Sequence, residues 1–335
     1  MTARTRPRRH EPDEAHGLTP PLGAVAALVL LLVTGPARGG QEQTPVFGVD
    51  LNVVNLTASV EDRKGNLVTN LTAKDFTVKE DGRKQSVQVF ARAHEPGQDE
   101  LMALDLGLLM DTSESMLEEL KLSQHAAVRF LDSIPRAREL VTIFFDEEIR
   151  LSRYNSENQQ GLFDRIHGAR GGGNTALYDA IAVYLSRIQD SPGRKTLVLF
   201  SDGEDSTSSL NLGDVTALLR ASPVTVYAIA FSRGLGASSR RRLMAKTVLR
   251  HLTSTTGGQV FSVTGWRDLG AIYQRILDDL GGQYVLGYVP SNQRRDGRYR
   301  KIEVKVKGRG LKVRHREGYY APLAERDDDQ ASGPE

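Results

Sequence analysis

Between Leu101 and about Gly282, short apolar runs alternate with amphipathic stretches of helical length, and that alternation leaves few folds open. Strands are expected at 102–110, 140–146, 195–201, 223–231 and 259–263. Helices are expected at 115–133, 157–167, 176–189, 213–220, 239–255 and 266–280. Strand–helix alternation of this kind implies an α/β fold, a doubly wound, mainly parallel sheet covered on both faces by helices. In open sheets of this class, ligands sit beyond the carboxyl ends of the strands. The residues that follow each expected strand are therefore the first place to look for chemistry.

Asp111-Thr-Ser-Glu-Ser115 directly follows the apolar run Leu101–Met110. It places one carboxylate and two hydroxyls at alternate positions, and so an oxygen-rich pocket at a strand end. Gly171-Gly-Gly-Asn-Thr175 offers a further hydroxyl on a glycine loop. Ser201-Asp202-Gly203 offers a second carboxylate after the run Lys195–Phe200. Oxygen ligands with few carboxylates suit a hard divalent cation. Ser113 also stands where it would cap the helix expected from 115.

The five residues Asp111, Ser113, Ser115, Thr175 and Asp202, in this order and context, resemble the metal-ion-dependent adhesion site of the von Willebrand factor type A (VWA) domain. The resemblance implies a Rossmann-like VWA fold and a Mg²⁺ ion, with Mn²⁺ or Ca²⁺ as substitutes. Ser113, Ser115 and Thr175 would be direct or near-direct ligands, and Asp111 and Asp202 would act partly through water. It also implies that the remaining coordination position takes an Asp or Glu carboxylate from a protein partner. The segments "LTAKDFTVKEDGRKQSVQVF" before this core and "QYVLGYVP" with "DGRYRKIEVKVK" and "LKVRHREGYYAP" after it resemble the VWFA-related proteins described largely from Acidobacteria.

Other chemistries fit less well. Glycines 171–173 lack the following Gly-Lys-Ser/Thr of a phosphate loop. Asp111 with Ser201-Asp202-Gly-Glu-Asp205 also resembles haloacid-dehalogenase-type phosphatases. Those enzymes need an acid two residues after the nucleophile, and position 113 is Ser, which does no general-acid work near neutral pH. The seven histidines form no cluster in the sequence. The reading is therefore a binding module rather than an enzyme, with a structural envelope component as the alternative. Asp179 is expected to support the site or the packing rather than to ligate. Trp266 and Tyr273 read as packing residues, and Arg240–Arg242 as the exposed start of a helix.

The flanks are β in pattern. Alternating runs at 50–60, 76–80 and 86–90, with Asp81-Gly82 as a hairpin signal, suggest an N-terminal β-module over 41–94. Runs at 283–288, 300–306 and 311–314 suggest a C-terminal one over 283–322, which leaves 95–282 for the VWA core and 323–335 as an acidic, disordered tail. Residues 1–40 carry a basic start, the apolar run Leu22–Val33 and small residues near Ala37 and Gly39, the layout of a secretory signal peptide. The run is short for a membrane span, so only an uncleaved signal would anchor the chain. Export then places the protein outside the cytoplasm. Beyond residue 40 the chain holds 39 basic and 39 acidic residues, a balance that argues against nucleic-acid binding. There are no cysteines, so disulfides and thiolate metal sites are excluded.

Overall fold

The computed structural model describes residues 53–92, 99–134, 137–154, 159–188, 193–231 and 239–323. The expected signal peptide, and the tail from 324 onward, lie outside the described residues. Everything described belongs to one compact unit, Val49–Glu335.

At its centre is a six-stranded sheet. In chain order its strands are β5 (Leu104–Asp111), β6 (Glu139–Phe145), β7 (Ile149–Tyr154), β8 (Arg194–Ser201), β9 (Val224–Phe231) and β10 (Val260–Val263). Their spatial order is β10-β9-β8-β5-β6-β7. All neighbours are parallel except the edge pair β6–β7. The chain runs from β5 to one side through β6 and β7, then returns to the other side with β8. The strand order thus reverses between β5 and β8, which is where such sheets open a crevice.

After a one-turn α1 (Asp99–Met102) ahead of β5, helices α2 (Leu120–Ser133), α3 (Gln159–Gly168) and α7 (Trp266–Gly282) cover one face of the sheet. Helices α4 (Leu177–Leu185), α5 (Leu212–Ala221) and α6 (Ser239–Thr255) cover the other. Every residue of β5 and of β9 is buried, as strands covered on both faces must be. Gly107 of β5 shows how close the layers come. A Cβ there would stand 2.3 Å from the Tyr184 ring of α4, so only glycine admits that ring.

The α/β expectation holds, with differences that have physical causes. β7 was not among the expected strands, although Ile149-Arg-Leu-Ser-Arg-Tyr154 alternates. It is an antiparallel edge strand joined to β6 by a short turn, so it never produces the long apolar run of a buried strand. Tyr273 is buried in the core, but Trp266 is 56% exposed, with its ring edge-on to His125 at 5.0 Å.

The two flanking β segments do not form separate bodies. β1 (Val54–Glu61), β2 (Phe76–Glu80), β3 (Arg83–Gln85) and β4 (Val87–Arg92) come from before the core. β11 (Tyr284–Tyr288), β12 (Tyr299–Val306), β13 (Lys312–His315) and β14 (Gly318–Tyr320) come from after it. They interleave in two sheets, β13-β1-β11-β4 and β14-β12-β2-β3. β1 pairs with β11 and β13, and β2 pairs with β12, all antiparallel. Between the sheets lie Leu56, Val60, Phe76, Val78, Leu286 and Ile302 among others. The alternating burial of β2 and β12 turns one side of each strand into this core. The buried Glu80 carboxylate of β2 accepts from Tyr288 Oη (2.8 Å) in the other sheet and from Tyr319 Oη (2.9 Å), so it ties the two sheets together. At the amino ends of the central strands, Arg314 of β13 bridges Glu61 (3.0 Å) and Asp279 of α7 (2.7 Å). Asp279 also accepts from Tyr227 Oη of β9 (2.6 Å). These ion pairs border a polar cleft of about 1350 Å³, at the opposite end of the sheet from Asp111.

Candidate metal centre

Asp111 is the last residue of β5, and its carboxylate is fully buried. Oδ1 accepts from the Ser113 N–H (3.1 Å) and from Ser113 Oγ (2.6 Å), while Oδ2 accepts from Ser201 Oγ (2.6 Å) at the end of β8. Ser113 and Ser115 hydroxyls lie 3.1 Å apart. A hydroxyl has one hydrogen, and Ser113 gives its own to Asp111, so Ser115 is the donor in that pair. The chain of bonds runs from Ser115 through Ser113 into Asp111, with Ser201 entering from the other side. Ser113 does stand at the N-cap of a three-residue 3₁₀ turn, Glu114–Met116, but its side chain makes no cap bond. Its hydroxyl serves the carboxylate, and α2 starts later, at Leu120.

Two other loops close on this one. The glycine loop is pinned by Gly172 N–H to Thr112 O (2.9 Å) and by Glu114 N–H to Gly173 O (3.0 Å). Thr175, at its end, is buried. Its N–H donates to Ser206 Oγ (2.9 Å) and its carbonyl accepts from Ser206 N–H (2.9 Å) and Thr207 N–H (3.1 Å). Thr175 therefore stands on a loop bonded both to the Asp111–Ser115 loop and to the loop after β8. In that last loop Gly203 turns the chain with φ +87°. A Cβ there would lie 2.7 Å from the Ala245 carbonyl of α6 and would meet Leu249. Ser201 Oγ accepts from Gly203 N–H (2.9 Å) and Asp202 Oδ1 from Glu204 N–H (3.0 Å), which fixes how Asp202 leaves the strand. Asp179 accepts from the N–H groups of Ser209 (2.8 Å) and Leu210 (3.0 Å). It thus clamps this loop to the first turn of α4, in the supporting role expected for it.

The electrostatics of the crevice are those of two unneutralised carboxylates. Burial, and then the charge of Asp202, push the Asp111 carboxyl up to about 7. Burial and the same Asp202 charge also raise Glu204. Among the described residues, no Lys or Arg pairs with Asp111 or Asp202, and no three His, Asp or Glu side chains are grouped so as to hold a metal ion by themselves. Two carboxylates and three hydroxyls fit a hard divalent cation and do not fit a soft metal. Asp111, Ser113, Ser115, Thr175 and Asp202 are the residues that would hold such an ion. Bound there, it would offset both carboxylates and offer a Lewis-acidic position to an anionic oxygen.

Sequence reasoning missed part of this arrangement. The Ser201 hydroxyl, read only as the neighbour of Asp202, bonds Asp111 directly. Thr112, between two expected ligands, shares its one hydroxyl hydrogen between Phe145 O (3.1 Å) and Asp146 Oδ2 (3.2 Å), while Arg150 donates to Thr112 Oγ1 (3.1 Å) and Asp146 Oδ2 (2.5 Å). Arg150 and two of the charges around it, Asp146 and Glu148, follow β6 on the β7 hairpin that went unpredicted. An apolar run ending in Asp-Glu-Glu148 was the available signal.

The fold and the hydrogen-bonded oxygen groups around Asp111 define a doubly wound α/β protein with a buried carboxylate–hydroxyl cluster at its strand-order reversal. The profile of the von Willebrand factor type A domain matches residues 105–275, from β5 into α7, and the chain belongs to that family. None of the curated proteins matches it. Among solved structures it is similar to a von Willebrand factor type A protein from Catenulispora acidiphila, with 12% identity over 83% of this chain and 75% of that one, at TM-score 0.45. It is also similar to the conserved hypothetical protein BatB from Bacteroides thetaiotaomicron (16% identity, 52% and 97% covered, TM-score 0.41). A third likeness is to proximal thread matrix protein 1 from the mussel byssus (16% identity, 53% and 48% covered, TM-score 0.43), about half of whose length the match spans.

Proposed function

We propose that this chain is an exported, divalent-cation-dependent protein-binding module. In this reading Asp111, Ser113, Ser115, Thr175 and Asp202 hold Mg²⁺, and the ion captures an Asp or Glu carboxylate of a partner protein. Membership of the VWA family supports an interaction module. The observation that carries the metal is the pair Asp111 and Asp202, two carboxylates in electrostatic contact, one of them fully buried, with no basic partner among the described residues. Leaving such a charge uncompensated costs stability, and a bound cation removes that cost. Hydroxyls fill much of the shell and the carboxylates act partly through water, so the ion retains affinity for one more anionic oxygen.

The role is binding rather than turnover, since Ser113 stands where a phosphatase of the rival class needs its acid. Export follows from the charge and apolar pattern of residues 1–40. No helix among the described residues is long and apolar enough to cross a membrane. Affinity capture from an envelope fraction, with the full chain as bait, tests the reading. Capture in Mg²⁺ should be lost in EDTA and weakened by Thr175→Ala. Capture unchanged by both would favour a structural envelope role in which the metal has no part.

A further inference from the structure

Beside the candidate metal centre lies a cleft of about 420 Å³ whose lining includes Thr112, Phe144, Asp146, Arg150, Arg165 and Arg170. Three guanidinium groups thus face one carboxylate. That carboxylate is already spent. Asp146 accepts from Arg150 through both oxygens, from the Glu148 N–H (2.8 Å) and from Thr112 Oγ1. Arg150 also pairs with Glu148 (3.2 Å), whose side chain is 77% exposed. The third acid of this turn, Glu147, reaches the other way, with its carboxylate against Gly173 and the Asn174 N–H (3.5 Å). Arg165 lies with its guanidinium 5.4 Å from the centroid of the Phe144 ring and donates to Ser152 Oγ (2.7 Å), so it is held at the cleft by neutral groups. Arg170 is exposed at the start of the glycine loop. Among the described residues, no carboxylate lies within ion-pair distance of Arg165 or Arg170. Two positive charges therefore stand uncompensated at the cleft.

The position of the cleft gives that charge a use. Thr112 lines it, and Thr112 is also the residue between Asp111 and Ser113, so the cleft begins one residue from two of the candidate metal ligands. A partner whose carboxylate sat on the metal would bring its neighbouring residues over Arg165 and Arg170. We propose that the partner surface is a doubly acidic segment, with one Asp or Glu at the metal and a second, a few residues away, in the Arg150–Arg165–Arg170 cleft. This rests on the metal reading above and adds to it the class of partner. Guanidinium groups pair with a carboxylate through two parallel N–H···O bonds, and this selects an acidic side chain over a hydroxyl or an amide at the second position. Linking the two contacts in one segment makes the second binding event intramolecular, so the gain depends on the spacing of the two acids.

Fluorescence polarisation with labelled Gly/Ser peptides tests this on the full chain at fixed Mg²⁺. One peptide carries a single Asp, and the others carry two Asp separated by one to five residues. At one favoured spacing the two-Asp peptide should bind at least about tenfold tighter than the single-Asp peptide. Arg165→Gln combined with Arg170→Gln should erase that gain while leaving single-Asp binding unchanged. Both side chains are exposed, so the fold is kept, and an unchanged melting temperature verifies it. No gain at any spacing, no binding of any two-Asp peptide, or a gain that survives the double variant would each overturn the proposal. An EDTA arm separates the two readings. Loss of single-Asp binding in EDTA with no effect of the arginine variants sinks the cleft alone. Two-Asp binding that ignores EDTA but needs the arginines sinks the metal.

Discussion

Ser201 donates a 2.6 Å hydrogen bond to Asp111, joining the ends of β8 and β5 across the point where the strand order reverses. The bond is made inside the fold, since both residues are fully buried. It orients Asp111 Oδ2, while Ser113 orients Oδ1, so the carboxylate is positioned before any ligand arrives.

Ser201→Ala should therefore cost stability out of proportion to its size. It removes a donor from a buried carboxylate and an acceptor from the Gly203 N–H. Leaving buried polar groups unpaired costs about 1–3 kcal/mol. Urea unfolding in EDTA at neutral pH should show a lower midpoint with an unchanged slope. A midpoint equal to that of the parent would mean that the bond contributes nothing to the fold.

His315 gives the sandwich a dependence on pH. Its Nε2 accepts from the Val304 N–H (3.2 Å), and its Nδ1 lies 2.7 Å from the Arg316 carbonyl. An acceptor at one nitrogen and a donor at the other define the neutral ring with the proton on Nδ1. Burial lowers its affinity for a second proton, against the backbone bond to Arg316 and the charges of Glu303 and Glu317. The folded state then binds fewer protons than the unfolded chain in the region below about pH 6.5. Stability is full above that pH and falls as the solution becomes more acidic. Asp111 has the opposite sign, since its folded pKa is raised to about 7 and its contribution declines as pH rises toward that value. The difference between parent and His315→Gln cancels the Asp111 effect. That difference, read from unfolding midpoints between pH 5 and 8, should shrink on the acid side. A gap that does not vary with pH would contradict the tautomer assigned here.

Interleaving of the flanks predicts that neither folds without the other. β1 finds its neighbours in β11 and β13, and β2 finds one in β12, all more than 200 residues along the chain, so the β2–β3 hairpin is, among the described residues, the one strand pairing local to the N-terminal segment. A fragment spanning 41–94 should show no sheet by circular dichroism and no amide dispersion by NMR. Removal of residues 283–323 from the full chain should leave the 53–92 segment open to proteolysis. A fragment 41–94 that folds alone would show that the N-terminal segment is an independent module.

Much of this was legible in the sequence, for reasons tied to particular residues. The runs Leu104–Asp111, Arg194–Ser201 and Val224–Phe231 are buried on both faces, so their composition alone marks them as strands. Asp81-Gly82 announced the β2–β3 hairpin, and both residues take positive φ. Strand partners were not legible. Alternation in Phe76–Glu80 and in Tyr299–Val306 says that each has one apolar side, but not that these sides face a common core. The site divides in the same way. Asp111, Ser113, Ser115, Thr175 and Asp202 follow strands or end a glycine loop, positions that sequence can mark. Ser201 and Thr112 act through contacts made only when β5, β6 and β8 lie side by side, and nothing local to them signals it, whereas Arg150 follows an apolar run ending in three acids that marks its turn.

The central claim is that the crevice binds a divalent cation through these five residues. Calorimetric titration of Mg²⁺ into the full chain addresses it most directly, with Asp111→Ala, Asp202→Ala and Thr175→Ala alongside. The account predicts one site in the parent, loss of measurable binding in both Asp variants, and weaker binding in the Thr variant. In the parent alone, Mg²⁺ at about one hundred times its Kd should add about 2.7 kcal/mol of stability. A parent that takes up no Mg²⁺, Mn²⁺ or Ca²⁺, or Asp variants that bind as the parent does, would contradict it.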